Sequence, residues 1–309
     1  MNESDIQQVK SFIEKWKGSS GNEKANKDSF CLDLCTALGV KPPPPQGSVA
    51  GNPYCLEKNI KMPQSNGEVK QGWIDFYKKH HFLLEAKQGS NKSGNSNPKR
   101  GTTAYDKYMQ KAFIQAIAYT SHLPSKPPFL LTCDIGSHFE LWMGFNGDYG
   151  GYGAREKIKL DDLLSPDIFN LFVDIFTEPQ KRNPEKYRAR VTREVASDLA
   201  KLASSLEKQQ HEPHQVANFL MRCIFTMFAE DVKLLKGNVF TKALKERWIA
   251  SPRSFKEEII YLWDMMNSGG NFNFDKIPKF NGSFFQDSSA FDLSVEQLEV
   301  LLRAAEKDW

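Results

Sequence analysis

Cysteine is sparse in this chain and shows no pairing pattern. The five cysteines are scattered, no C-x-x-C occurs, and Cys31 and Cys35 stand four apart in a helical run, where thiols serve as core side chains. Neither a zinc ribbon nor a disulfide framework is supported. An excess of one charge is missing as well. With 41 basic against 38 acidic residues, this is no polycationic tail, and any hold on a polyanion must rest on local clusters. No signal peptide and no apolar run of membrane length is found, so we expect a cytoplasmic protein without a membrane partner. No internal repeat is visible. The length, 309 residues, leaves room for two domains, each with a core.

The most informative stretch runs from Gly72 to Lys87. It reads as two short apolar strands joined by a basic turn at Lys79-His80-His81. Side chains alternate faces along a strand, so Glu85 and Lys87 point one way while Leu84 and Ala86 point the other. Paired as an antiparallel hairpin, the strands bring Asp75 opposite Glu85, with Cβ atoms roughly 5 Å apart. Carboxylates that close repel unless a cation lies between them, and hard oxygen ligands with room for water suit Mg²⁺. Such an ion activates water near neutral pH and offsets charge gathering on phosphorus. The expected chemistry is metal-dependent phosphodiester hydrolysis. The competing reading is a surface hairpin with a weak Glu–Lys pair.

Two other triplets test how specific the pattern is. Glu68-Val69-Lys70 follows Pro63, Asn66 and Gly67 with no apolar strand in front of it. Asp231-Val232-Lys233 lies in a helical pattern, where i and i+2 diverge. Only Glu85-Ala86-Lys87 has a strand context and an acid ten residues upstream. A soft basic stretch follows, carrying Lys92, Lys99 and Arg100. Next comes a helical period on which Tyr105, Tyr108, Ala112, Gln115 and Tyr119 share a side, and then two more strands, Phe129 to Asp134 and His138 to Met143.

This layout resembles the PD-(D/E)XK nuclease superfamily, with Ile74 in place of the leading proline. Gln115 and Tyr119 resemble the Q-x-x-x-Y element that supports the site in some of its branches; read without that likeness, they are a packing pair. Glu23-Lys24-Ala25-Asn26, the run Phe30 to Val40 and the run Phe228 to Leu235 narrow the resemblance to MmeI-like (type IIL) restriction–modification enzymes. The resemblance implies an α/β fold, a mixed sheet flanked by helices, over residues 1–178, followed by an all-α spacer over residues 179–309. It implies Asp75 and Glu85 as metal ligands with the Ala86 carbonyl, and Lys87 as the group that orients or deprotonates water. Glu23 and Glu57 are kept as supporting acids, although a solvent-facing Glu23 at a helix start is the plainer reading. Mg²⁺ is the expected cofactor, with Mn²⁺ as a substitute, and double-stranded DNA is the expected partner. Lys78, Lys79, Lys92, Lys99 and Arg100 are its candidate contacts.

A methyltransferase of that family needs a glycine-rich turn for S-adenosylmethionine and an (N/D)-P-P-(Y/F) loop for a flipped adenine. Asn52-Pro53-Tyr54 lacks the second proline and the preceding turn; Tyr54 instead opens the first strand. S-adenosylmethionine is thus expected only in a longer polypeptide that adds methyltransferase and target-recognition domains downstream. The chain itself reads as an amino-terminal fragment or truncated product.

Elsewhere, Asp5 and Asp28 are read as helix caps. The segment Gly147 to Gly153 reads as a loop and not a phosphate cradle. Helices are expected near residues 161–176, 189–209, 213–235, 241–249, 252–267 and 294–308, and residues 267–282 as an exposed loop. His211, Glu212 and His214 lack the further ligands a metal would need.

Overall fold

The computed structural model describes residues 1–309 except 66, 93–95, 148–149, 273–274, 281–283, 287, 308 and 309. It divides into two compact units, Met1–Pro184 and Glu185–Trp309.

The first unit opens with helices α1 (Glu3–Trp16) and α2 (Glu23–Ala37). Their caps are not the aspartates expected. Asn2 caps α1, with Asp5 completing the capping box from inside, and Asn22 caps α2 by accepting the Lys24 amide. Asparagine carries a short side-chain oxygen one step ahead of each helix, so it reaches the free amides first. Asp28 lies within α2.

Six strands follow: β1 (Tyr54–Pro63), β2 (Val69–Lys78), β3 (Phe82–Lys87), β4 (Phe129–Asp134), β5 (His138–Met143) and β6 (Glu156–Lys159). They form one mixed sheet in sequence order, antiparallel except for the parallel pair β3–β4. That parallel step needs a crossover, and α3 (Thr103–Thr120) lies within it. β2 begins at Val69, so the Glu68 triplet stands at a strand entrance, and β1, ending at Pro63, is the strand in front of it. β6 carries a single buried apolar residue, Ile158, too little to announce a strand.

Both sheet faces are covered. Phe76, Phe82, Leu84 and Ala86 pack with Phe12, Phe30 and Leu34 of α1 and α2, and with Phe172 of α4 (Pro166–Thr177). Ile74, Tyr77, Leu83 and Leu130 pack on the other face against Ala116 and Tyr119 of α3. Gly72 permits that approach, since a Cβ there would lie 2.6 Å from the Tyr119 ring.

The second unit is mainly helical. Its long helix α5 (Pro184–Lys208, starting one residue before the unit boundary) buries Val191, Val195, Leu199, Leu202 and Leu206, a stripe at helical spacing. α6 (Pro213–Asp231), α7 (Val239–Ala243), α8 (Phe255–Ser268) and α9 (Val295–Ala305) complete it. Trp248 and Trp263 lie wholly inside its core. The expected loop at residues 267–282 instead contains a small hairpin, Gly270–Phe272 with Asp275–Ile277, whose strands bury Phe272 and Ile277. Of the glycine-rich loop, Asp148 and Tyr149 lie outside the described residues, as do Asp308 and Trp309. Among the described residues, no helix is long and apolar enough to cross a membrane.

Candidate active site

The β2–β3 ladder pairs Lys78 with Phe82, Tyr77 with Leu83 and Phe76 with Leu84. Continued by one step, that register brings Asp75 opposite Glu85. Both acids are buried, Asp75 at 7% and Glu85 at 1% exposure. Phe82, Leu84 and Ala86 are drawn into the core beneath α1 and α2, so alternation sends Glu85 and Lys87 to the α3 face. Asp75 is fixed at both oxygens. Its Oδ2 accepts the Ala86 amide at 2.8 Å and its Oδ1 accepts Lys27 Nζ at 2.8 Å.

Glu85 is held differently. Its Oε2 accepts Gln115 Nε2 at 3.0 Å, and the same nitrogen donates to Tyr119 Oη at 2.9 Å. Its Oε1 is buried with no hydrogen-bond donor among the described residues. Burial, and then the adjacent Asp75 charge, push the Glu85 carboxyl up to about 9, with Lys87 opposing. Two carboxyls buried side by side favour a cation between them.

Lys87 Nζ donates to the Ala86 carbonyl at 3.0 Å and lies 3.4 Å from Glu23 Oε1. Tyr108 donates to the other Glu23 oxygen at 2.5 Å. Glu23 therefore turns to the site and not to solvent. Glu57 also reaches this region, through an ion pair with Lys27.

Lys27 was not legible as a site residue. It lies one helical turn after Glu23 on α2, and that i,i+4 spacing was the available signal. Burial would lower its pKa, but hydrogen bonds and charges from Asp75 and Glu57 carry it well above the ordinary lysine value.

The candidate DNA contacts do not form one surface. Lys79 is exposed at the hairpin turn, about 13 Å of strand from Asp75 at 3.3 Å per residue. Lys78 is turned inward, donating to the Phe176 carbonyl at 2.6 Å and lying over the Tyr54 ring. Lys92 and Lys99 are exposed on the connection after Lys87. Arg100 is committed to the interior: its Nε and Nη2 bind the two oxygens of buried Asp134 at 2.7 and 2.9 Å. Tyr105 Oη and the Gly89 amide also donate to Asp134, at 2.6 and 2.8 Å. This buried group pins the start and end of the connection against β4.

No set of three or more His, Cys, Asp or Glu side chains among the described residues is spaced to hold a metal. The donors here are two carboxylates and a backbone carbonyl. That set fits a hard ion that keeps several waters, and the unfilled Glu85 Oε1 is the atom such an ion would satisfy.

The family model for the MmeI N-terminal domain matches residues 1–209, and that for the MmeI helicase spacer domain matches residues 214–285. The chain belongs to the MmeI family. It carries the N-terminal and spacer domains of a type IIL restriction enzyme module. No curated protein and no solved structure matches it.

Proposed function

We propose that this MmeI-family module is a Mg²⁺-dependent DNA endonuclease in which Asp75, Glu85 and the Ala86 carbonyl hold the ion and Lys87 acts on the attacking water. The observation that carries this reading is Glu85 Oε1, a buried carboxyl oxygen with no donor among the described residues and a second acid, Asp75, beside it. Bound there, Mg²⁺, or Mn²⁺ in its place, would supply Lewis acidity toward a phosphate oxygen. The chain's own groups do the rest. Asp75 is set by the Ala86 amide, which locks the acid of one strand to the triplet of the next. Gln115, steadied by Tyr119, fixes one Glu85 oxygen and leaves the other open to the site. Lys87 orients the water and takes or shares its proton, while its charge opposes the negative charge growing on phosphorus.

Duplex DNA is the proposed substrate. The exposed Lys92 and Lys99 follow directly on the catalytic strand, where phosphate contacts would position the backbone. Lys79 would reach a more distant phosphate. The helical second unit would act as a spacer that sets the distance from the site to whatever reads sequence. Methyltransferase and target-recognition domains downstream, with S-adenosylmethionine, complete this proposal; no residue of this chain is assigned to that cofactor.

The test is cleavage of duplex DNA by the polypeptide carrying this chain and its recognition part, in Mg²⁺, with Asp75→Ala, Glu85→Ala and Lys87→Ala. Each variant is expected to stay folded and lose cleavage. Near-normal cutting by any of them would end the assignment. Wild-type cleavage of RNA or single strands in preference to duplex would keep the centre and change the substrate.

A further inference from the structure

Lys27 has no place in the acid–acid–lysine pattern, yet it makes the closest ionic contacts of the site. Its ammonium lies 2.8 Å from Asp75 Oδ1 and also pairs with Glu57. The lysine side chain is only 15% exposed, and that of Asp75 10%. A buried ammonium is costly unless acids surround it, and two different strands supply those acids.

The backbone of β1 bends to make this possible. Ladder pairs run from Leu56 with Phe76 to Lys58 with Ile74 and skip the pair between them, Glu57 with Asp75. Glu57 has φ +51°, a left-handed conformation unusual for a non-glycine residue inside a strand. Across the same step β2 changes allegiance: Ile74 joins the α3-side core and Phe76 the opposite one. The distortion aims Glu57 at Lys27. Strained backbone of this kind tends to collect at functional sites.

Charge and valence then set two cations against each other. Asp75 Oδ2 already accepts the Ala86 backbone amide and Oδ1 the Lys27 ammonium, so an ion joining Asp75 meets that ammonium on the same carboxylate. An ammonium and a divalent ion on one carboxylate repel strongly in a buried setting. We infer that Lys27 is the resident counter-cation of this centre, a positioning residue that holds Asp75 and Glu57 together without metal and must release Asp75 when a divalent ion binds. The inference rests on the proposed metal role of Asp75. Lys27 thereby raises the threshold for metal binding and keeps the acids gathered until the ion arrives.

The experiment is calorimetric titration of Mn²⁺, and separately Mg²⁺, into the DNA-free protein, with unfolding temperature measured in chelator. Wild type is compared with Lys27→Met, Lys27→Gln, Lys27→Arg and Asp75→Asn. Removing the charge is expected to tighten Mn²⁺ binding about tenfold in both neutral variants and to lower the unfolding temperature in chelator. Lys27→Arg is expected to keep weak, wild-type-like binding, and Asp75→Asn to bind no ion. If ion binding depends on Asp75 but the neutral variants bind no more tightly than wild type, Lys27 does not compete, and this inference alone fails. If wild type and both neutral variants bind no ion, the metal reading fails together with it. The two neutral variants differ in polarity, so folding of either one is enough to decide the matter.

Discussion

The carboxylate of Asp75 accepts the backbone amide of Ala86 at 2.8 Å, which ties the acid of β2 to the middle of the triplet on β3. The bond is buried and local register alone does not require it. Asp75→Ala removes it and leaves Lys27 with Glu57 as its acid partner. A loss of about 1–3 kcal/mol in folding stability is expected from the unsatisfied amide. Urea unfolding in chelator measures it, and a loss much below this range would mean that water replaces the carboxylate without cost.

Glu85 makes metal-free stability depend on pH. Its carboxyl is raised from the ordinary 4.5 to about 9, by burial first and the Asp75 charge second. Between those values the folded chain keeps a proton that the unfolded chain has released. The contribution is therefore complete below about pH 4.5 and is lost as pH climbs through about 9. Glu85→Gln should flatten this decline, so that the variant gains on wild type with each step from about pH 5 to about pH 9 in chelator. Urea midpoints across that range are the readout; parallel curves for the two proteins would contradict the assignment.

Arg100 and the exposed lysines separate cleanly. Arg100→Met leaves the wholly buried Asp134 without its cation and should cost about 3–5 kcal/mol. Lys92→Ala with Lys99→Ala should leave stability within about 0.5 kcal/mol. The double variant should instead reduce the salt dependence of duplex binding by a slope of about 2. Fluorescence anisotropy at several salt concentrations reads this directly. An unchanged slope would remove both lysines from the DNA surface.

Gln115→Leu should act on Glu85 and on Tyr119 together. It deletes the Gln115 amide that donates to Glu85 Oε2 and to Tyr119 Oη. A loss of about 1–3 kcal/mol is expected for a buried acid that loses this donor. Added Mn²⁺ should recover part of that loss by occupying the carboxylate, as a shift in unfolding temperature will show.

The hairpin was readable because apolar alternation and a basic turn are local signals: Phe82, Leu84 and Ala86 bury, and His80 takes the turn with φ 62°. The α3 period was readable for the same reason. Short elements were not. β6 has one apolar anchor, Ile158, and the Gly270–Ile277 hairpin has two, Phe272 and Ile277, so neither builds a period. Asn2 and Asn22 cap their helices three and six residues ahead of Asp5 and Asp28. Lys27 and Asp134 were hidden for another reason. Their partners lie 48 and 34 residues away, and only the assembled sheet brings Lys27 to Asp75 or Arg100 to Asp134.

Lys87 offers the most direct test, because it should matter to chemistry and little to holding the ion. Lys87→Ala is expected to bind Mn²⁺ with near wild-type affinity and to have lost cleavage of duplex DNA in Mg²⁺ by a factor of about 10²–10⁴. Cleavage by that variant at a rate close to wild type would contradict the account.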